Sequence, residues 1–151
     1  MYHRAKRFGN SYNFDSVGDI LKYSFFSGGD HPRFIADYQT NTVSSNLKDF
    51  YFELELDRTA SDSLVRLEGE LIYIVPPTSM VKILISEFDS NRLEKKRTVI
   101  PIDGFSYSYH YEKEYIKNEK WGYEIEYSIF DTLLELNDST QLVGNYNFPQ
   151  E

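Results

Sequence analysis

Three observations predict a mainly β chain, an antiparallel β-sandwich of about eight strands with one short N-terminal helix. Apolar and polar residues alternate with a period of two over most of the chain after residue 47, aromatics outweigh helix formers, and turn-forming pairs separate the alternating runs. The clearest run is Trp121 to Phe130. Trp121, Tyr123, Ile125, Tyr127 and Ile129 share one face of an extended strand, and Gly122, Glu124, Glu126 and Ser128 share the other. One face meeting a core and one meeting water is the pattern of a half-buried antiparallel strand.

The bulk composition agrees. With 151 residues the chain has the length of a single domain, 1–151, that can bury a sizeable core. Its 13 Tyr and 11 Phe supply much of the apolar surface while alanine is almost absent, which suits pleated sheets better than helices. Cysteine is absent, so neither disulfides nor thiolate zinc can hold the fold, and packing must.

The net charge of −8 is unevenly spread. Lys and Arg outnumber acids in residues 1–33, whereas residues 34–151 are strongly acidic. An acidic body disfavours nucleic acid and anionic bilayers as partners. No run of 18 apolar residues offers a membrane span, and Met1 is not followed by an apolar signal segment. A cytoplasmic location is therefore favoured, with a mature secreted form left open.

Taken in order, residues 1–14 read as a loosely ordered basic arm carrying Arg4, Lys6 and Arg7 among aromatics. Asp15 and Ser16 suit a helix N-cap, and Val17, Ile20, Leu21, Ser24 and Phe25 follow i, i+3, i+4 spacing, so the spacing predicts a helix over 15–27, ended by Gly28-Gly29. The β-rich body then runs over 33–148. Arg33 to Gln39 forms a first strand, and Phe50 to Asp57 a second with its phenylalanines and leucines inward. Leu64 to Val75 is the longest candidate; its far half is apolar on both faces through Ile72 and Ile74, as in a central strand or one lying where two sheets meet.

Pro76-Pro77 turns the chain into Met80 to Phe88, with Val81, Ile83 and Ile85 on one face. Asp103-Gly104 suits a two-residue type I′ turn, which pairs Val99–Ile102 with Phe105–Tyr109 as a hairpin. Thr140 to Phe148 makes a last strand, at an edge given Pro149. The five central strands read as a meander. A small closed barrel of the calycin type accommodates the same strands as an alternative to the sandwich.

No catalytic motif stands out. His3, His31 and His110 show no metal-ligand spacing, and no nucleophile elbow or phosphate loop occurs, so no catalytic residue, metal or cofactor is expected. The acidic loops Asp89-Ser90-Asn91 and Asn137-Asp138-Ser139, and the pair Asp57 and Asp62, could offer oxygens to calcium, but turns also favour these residues. Paired glutamates at i, i+2 match the carboxyl spacing of glycoside hydrolases and equally match the wet face of a soluble strand.

What the pattern does emphasise is an acidic sheet face. Glu53, Glu55, Glu68, Glu70, Glu124 and Glu126 all fall at outward positions of three strands. The expected function is a non-enzymatic protein-binding module that uses these carboxylates to engage a basic partner, as inhibitors, immunity-type proteins and assembly subunits do. The alternative is a carbohydrate- or small-ligand-binding sandwich or barrel, stacking its ligand on Tyr107, Tyr109, Tyr111 and Trp121. Ser106 and Ser108 between the tyrosines favour turning that stripe inward. Trp121 is expected in the core, near Leu71 or Ile83.

Overall fold

The computed structural model describes residues 6–44, 53–61, 63–102, 106–116 and 120–147. Among them lie eleven strands and no helix, arranged as three antiparallel sheets that do not close into a barrel. An N-terminal sheet runs in the order β1 (Arg7–Phe14), β2 (Ile20–Gly29), β3 (Phe34–Asp37) and β4 (Thr42–Ser44). A narrow sheet has β6 (Leu64–Ile72) between β5 (Glu53–Ala60) and β9 (Ser108–Ile116). A wide sheet has the order β11 (Leu136–Asn147), β10 (Lys120–Asp131), β7 (Met80–Phe88) and β8 (Glu94–Ile100).

The N-terminal sheet corrects two expectations. Residues 7–14 are strand β1 rather than a loose arm, and the helix expected over 15–27 is a turn followed by β2. The reason is that Asp15 satisfies either geometry. Its Oδ1 accepts the backbone N–H groups of Val17, Gly18 and Asp19 at 2.8–2.9 Å, as an N-cap would, but here they close a hairpin turn in which Gly18 takes φ +101°. Beyond the turn, Tyr23 and Phe25 are fully buried two residues apart, the spacing of a strand face. Helical spacing on one segment was outweighed by a sheet partner on each side.

The narrow and wide sheets share one core. Val65, Leu67 and Leu71 of β6 and Tyr111 and Tyr115 of β9 meet Ile83 and Ile85 of β7 and the Trp121–Ile129 stripe of β10. The tryptophan strand follows its alternation: Trp121, Tyr123, Ile125, Tyr127 and Ile129 are all buried. Trp121 has Tyr115 and Tyr123 as ring neighbours, with centroids 4.4 and 5.2 Å away, and Leu71 and Ile83 belong to the same cluster.

The expected meander is replaced by repeated crossings. The chain passes from β6 in the narrow sheet to β7 in the wide one, back from β8 to β9, and across again to β10. The expected hairpin of Val99–Ile102 with Phe105–Tyr109 is therefore not formed. β8 pairs with β7, β9 pairs with β6, and the Asp103-Gly104 turn lies outside the described residues. A turn pair reports only a local reversal. The Asp89 turn already commits β8 to β7, through Asp89 Oδ1 accepting the N–H groups of Asn91 and Leu93.

A second cluster joins the N-terminal sheet to the rest. Tyr23, Phe25, Phe34 and Ala36 pack on Ile74 and on Leu134 of the β10–β11 turn. Residues 71–76 thus lie between two cores, Tyr73 and Val75 belonging to the first and Ile72 and Ile74 to the second. Their backbone is satisfied by distant groups. Tyr73 N–H donates to Tyr107 O at 3.0 Å, Val75 N–H to the Tyr23 hydroxyl at 3.2 Å, and the Tyr127 hydroxyl donates to Ile74 O.

Asp131 is a further lock, 2% exposed. Its Oδ1 accepts from Leu133 and Leu134 N–H, and its Oδ2 from the hydroxyls of Thr78 (2.6 Å) and Ser79 (2.8 Å). These four bonds satisfy a buried carboxylate and tie the 76–79 turn to the β10–β11 turn.

Two stability predictions follow from the buried segment. Ile74→Ala should cost about 2–5 kcal/mol and Tyr127→Phe about 1–3 kcal/mol in denaturant unfolding, the second by stripping the Ile74 carbonyl of its donor, whereas Met80→Ala, at an exposed position, should stay within about 0.5 kcal/mol. Burial also pushes the Tyr23 and Tyr127 hydroxyls well above the ordinary phenol value of 10.0. The folded state holds these phenols neutral, so their contribution is complete below pH 10.0 and is lost as the unfolded chain ionises above it. Stability measured across that range should fall, and less steeply in Tyr127→Phe.

Candidate functional site

The narrow sheet turns the even-numbered positions 64–70 of β6 and 110–116 of β9 to solvent, because the odd ones, Val65, Leu67, Leu71, Tyr111 and Tyr115, are taken by the core. Register then aligns the outward residues in rows. Glu68 and Glu112 form one, Glu70 and His110 the next, and Arg66 and Glu114 a third, with Asp57, Glu55 and Thr59 of β5 at the backbone positions paired with Glu68, Glu70 and Arg66. Glu53 stands opposite Ile72. Beyond the third row, Leu64 and Ile116 face each other at 43% and 60% exposure, an apolar end to an otherwise acidic face.

Arg66 is the cation that relieves this crowding. Its Nη2 lies 2.5 Å from Glu68 Oε1 and 2.9 Å from Glu112 Oε1, spanning both strands. Such exposed pairs are worth about 0–1 kcal/mol each, so Arg66 orders the face more than it stabilises the fold. His110 sits between two carboxylates, Nδ1 4.0 Å from Glu70 and Nε2 3.9 Å from Glu112.

The six glutamates singled out in the sequence do not share one wall. Glu53, Glu55, Glu68 and Glu70 belong to the narrow sheet, and Glu124 and Glu126 to the outer side of the wide sheet. There Glu124 faces Ser86 and Val143 and accepts from the Gln141 amide, while Glu126 faces Leu84 and Gln141. Parity along a strand separates inside from outside but says nothing about which sheet the strand joins. The same parity applied to β9 adds Glu112 and Glu114, opposite Glu68 and Arg66.

The aromatic stripe is placed residue by residue. Tyr111 and Trp121 are buried, Tyr109 is half-buried against the core, and Tyr107, 36% exposed, packs on Phe8 at 5.9 Å. Tyr107 also lies over Gly9, where an added Cβ would come 2.8 Å from its ring and where φ is +90°. Its ring covers a backbone that only glycine fits comfortably.

A recess of about 520 Å³ opens at one end of the wide sheet, lined by Phe88, Arg92, Lys120, Trp121, Tyr123 and Val143 among others. An adjoining recess of about 920 Å³ shares Trp121 and Lys120 and reaches Glu87 and Lys113. Glu87 is buried, its Oε2 2.8 Å from Lys113 Nζ, and that ammonium lies 5.5 Å from the centre of the Tyr115 ring. Asp89, also at this end, spends its oxygens on its own turn and on Lys95 at 3.0 Å. Among the described residues no group of three His, Cys, Asp or Glu is arranged to hold a metal ion, and no helix is long and apolar enough to cross a membrane.

The fold defines an all-β protein of three antiparallel sheets. No protein-family model matches the chain, and neither a curated protein nor a solved structure matches it.

The buried ion pair is open to test. Lys113→Met should destabilise by about 1–3 kcal/mol, because it leaves the Glu87 carboxylate buried without a cation, and adding Glu87→Leu to it should recover most of the loss. Urea unfolding of the single and double variants reads both effects.

Proposed function

We propose that this chain is a non-enzymatic protein-binding module, a β-sandwich of the narrow and wide sheets whose narrow-sheet outer face engages a partner with a basic surface. The observation that carries the reading is the row alignment of Glu68, Glu70, Glu112 and Glu114 across two adjacent strands, relieved by Arg66. Strands about 5 Å apart hold these carboxylates against their mutual repulsion, a cost that a cationic partner would reverse. Leu64 and Ile116 add apolar contact beside the charged rows, as a protein interface needs and a merely solvated face does not. Glu124 and Glu126, on the other sheet, fall outside this contact.

A second reading, a site for a carbohydrate or small ligand, is favoured by the recess beside Trp121 and Tyr123, with Arg92 and Lys120 at hand for a polar group. Of the proposed stacking residues, Trp121 alone lines it.

The two readings separate in one experiment. The partner captured by the immobilised chain is measured for association with wild type, with Glu68→Gln/Glu70→Gln/Glu112→Gln and with Glu124→Gln/Glu126→Gln. At about 0.01 M salt, where charges act over about 30 Å, the triple variant should associate about 10-fold more slowly than wild type, and at about 1 M salt the difference should vanish. The double variant should match wild type throughout. Equal rates for all three proteins, with ligand-dependent changes in Trp121 fluorescence, would put the recess forward instead.

A further inference from the structure

The wide sheet ends in two unlike edges. β8 carries Glu94, Lys95, Lys96 and Arg97 in succession, and its pairing with β7 is broken by an irregularity at Glu87/Phe88, the charged and bulged design that keeps a strand edge from recruiting another. β11, at the other edge, is 12 residues long and pairs with β10 without a register shift from Leu136 to Asn147. Among the described elements its only neighbour is β10. It has one formal charge, Asp138, no proline, and an exposed Val143 at 63% near its centre. The remaining edges are all guarded: β5 and β9 by several charges each, β1 by two register irregularities, and β4 by its length of three residues.

We propose that the β11 edge is a self-association surface, on which a second copy of this chain adds its own β11 antiparallel to make a continuous eight-stranded sheet. Charge selects this occupant. A chain of net charge −8 repels its own copy wherever acids face each other, and β11 is the long edge where that repulsion is nearly absent. A twofold axis perpendicular to the sheet pairs residues of like parity, and an axis at Gln141 sets Asp138 opposite Gly144 of the second copy, not opposite its own counterpart. Gln141 then meets Gln141 of the copy, and Ser139 meets Val143. The assembly also ends there. The doubled sheet has a β8 at each edge, and two Lys95-Lys96-Arg97 runs repel further addition.

The test uses the full chain. Sedimentation velocity over a range of concentrations should show a monomer–dimer equilibrium for wild type. Gln141→Lys should raise the dimer dissociation constant at least about 10-fold, since it sets like charges directly opposite each other across the axis. It should not harm the monomer, because position 141 pairs with Glu126 of β10 and its side chain already reaches Glu124, so the new ammonium gains carboxylate partners. Val99→Lys, at a 57% exposed position on the β8 edge, should leave the equilibrium unchanged. Amide exchange supplies a second readout: alternate N–H groups of β11, those turned away from β10, should gain protection as concentration rises in wild type but not in Gln141→Lys. Wild type that stays monomeric at every concentration would overturn the proposal. So would a dimer indifferent to Gln141→Lys, or one whose formation protects no β11 amide.

Discussion

The whole arrangement depends on burying one short stretch, Leu71 to Pro76, on both sides. An extended segment presents alternate side chains to opposite directions, so Tyr73 and Val75 must fill one core while Ile72 and Ile74 fill another. A segment between two cores has no solvent for its peptide groups and needs donors and acceptors from elsewhere. Tyr127 supplies one from β10, Tyr23 another from β2, and Tyr107 a third from the start of the narrow sheet's last strand. Three sheets are thereby fastened to one stretch of backbone, and two of these groups, the Tyr127 and Tyr23 phenols, also fill the cores. The abundance of tyrosine then has a physical sense, because a phenol brings apolar bulk and a hydrogen bond to the same buried place.

Charge is sorted around this framework. The outer face of the narrow sheet carries rows of carboxylates with Arg66 among them, while the cations of β8 line one edge of the wide sheet. The opposite edge, β11, carries almost none. A field of one sign on a face, a guard of the other sign on one edge, and a neutral edge beyond are three different instructions to neighbouring molecules. The first is the face proposed to meet a basic protein, the second disfavours strand addition, and the third leaves it open. Where charges are buried they are partnered closely, as in Glu87 with Lys113 and Asp131 with four donors.

The candidate face was half legible in the sequence. Outward placement of Glu68, Glu70, Glu124 and Glu126 follows from parity alone, and each lies on the non-core face of its strand. Their grouping does not follow, since Glu124 and Glu126 went to another sheet and Glu112 and Glu114 took their place beside Glu68 and Glu70. Arg66 could be recognised as a nearby cation, but its bridge between β6 and β9 requires knowing that those strands are neighbours.

By itself the sequence determined that the chain is all β in its body, that the Trp121 strand buries its odd positions, and that Ile72 to Val75 is apolar on both sides. These are properties of a strand and its solvent, set by side-chain alternation every two residues. The tertiary structure decided whether Ile20 to Phe26 would be helix or strand, because Asp15 caps either one and only the neighbours β1 and β3 make the sheet the better burial for Tyr23 and Phe25. It also decided that β8 and β9 would part into different sheets despite the turn pair between them, since β8 is already paired with β7 across the Asp89 turn and β9 finds its partner in the distant β6. Local chemistry chose the kind of element, and long-range burial chose its partners.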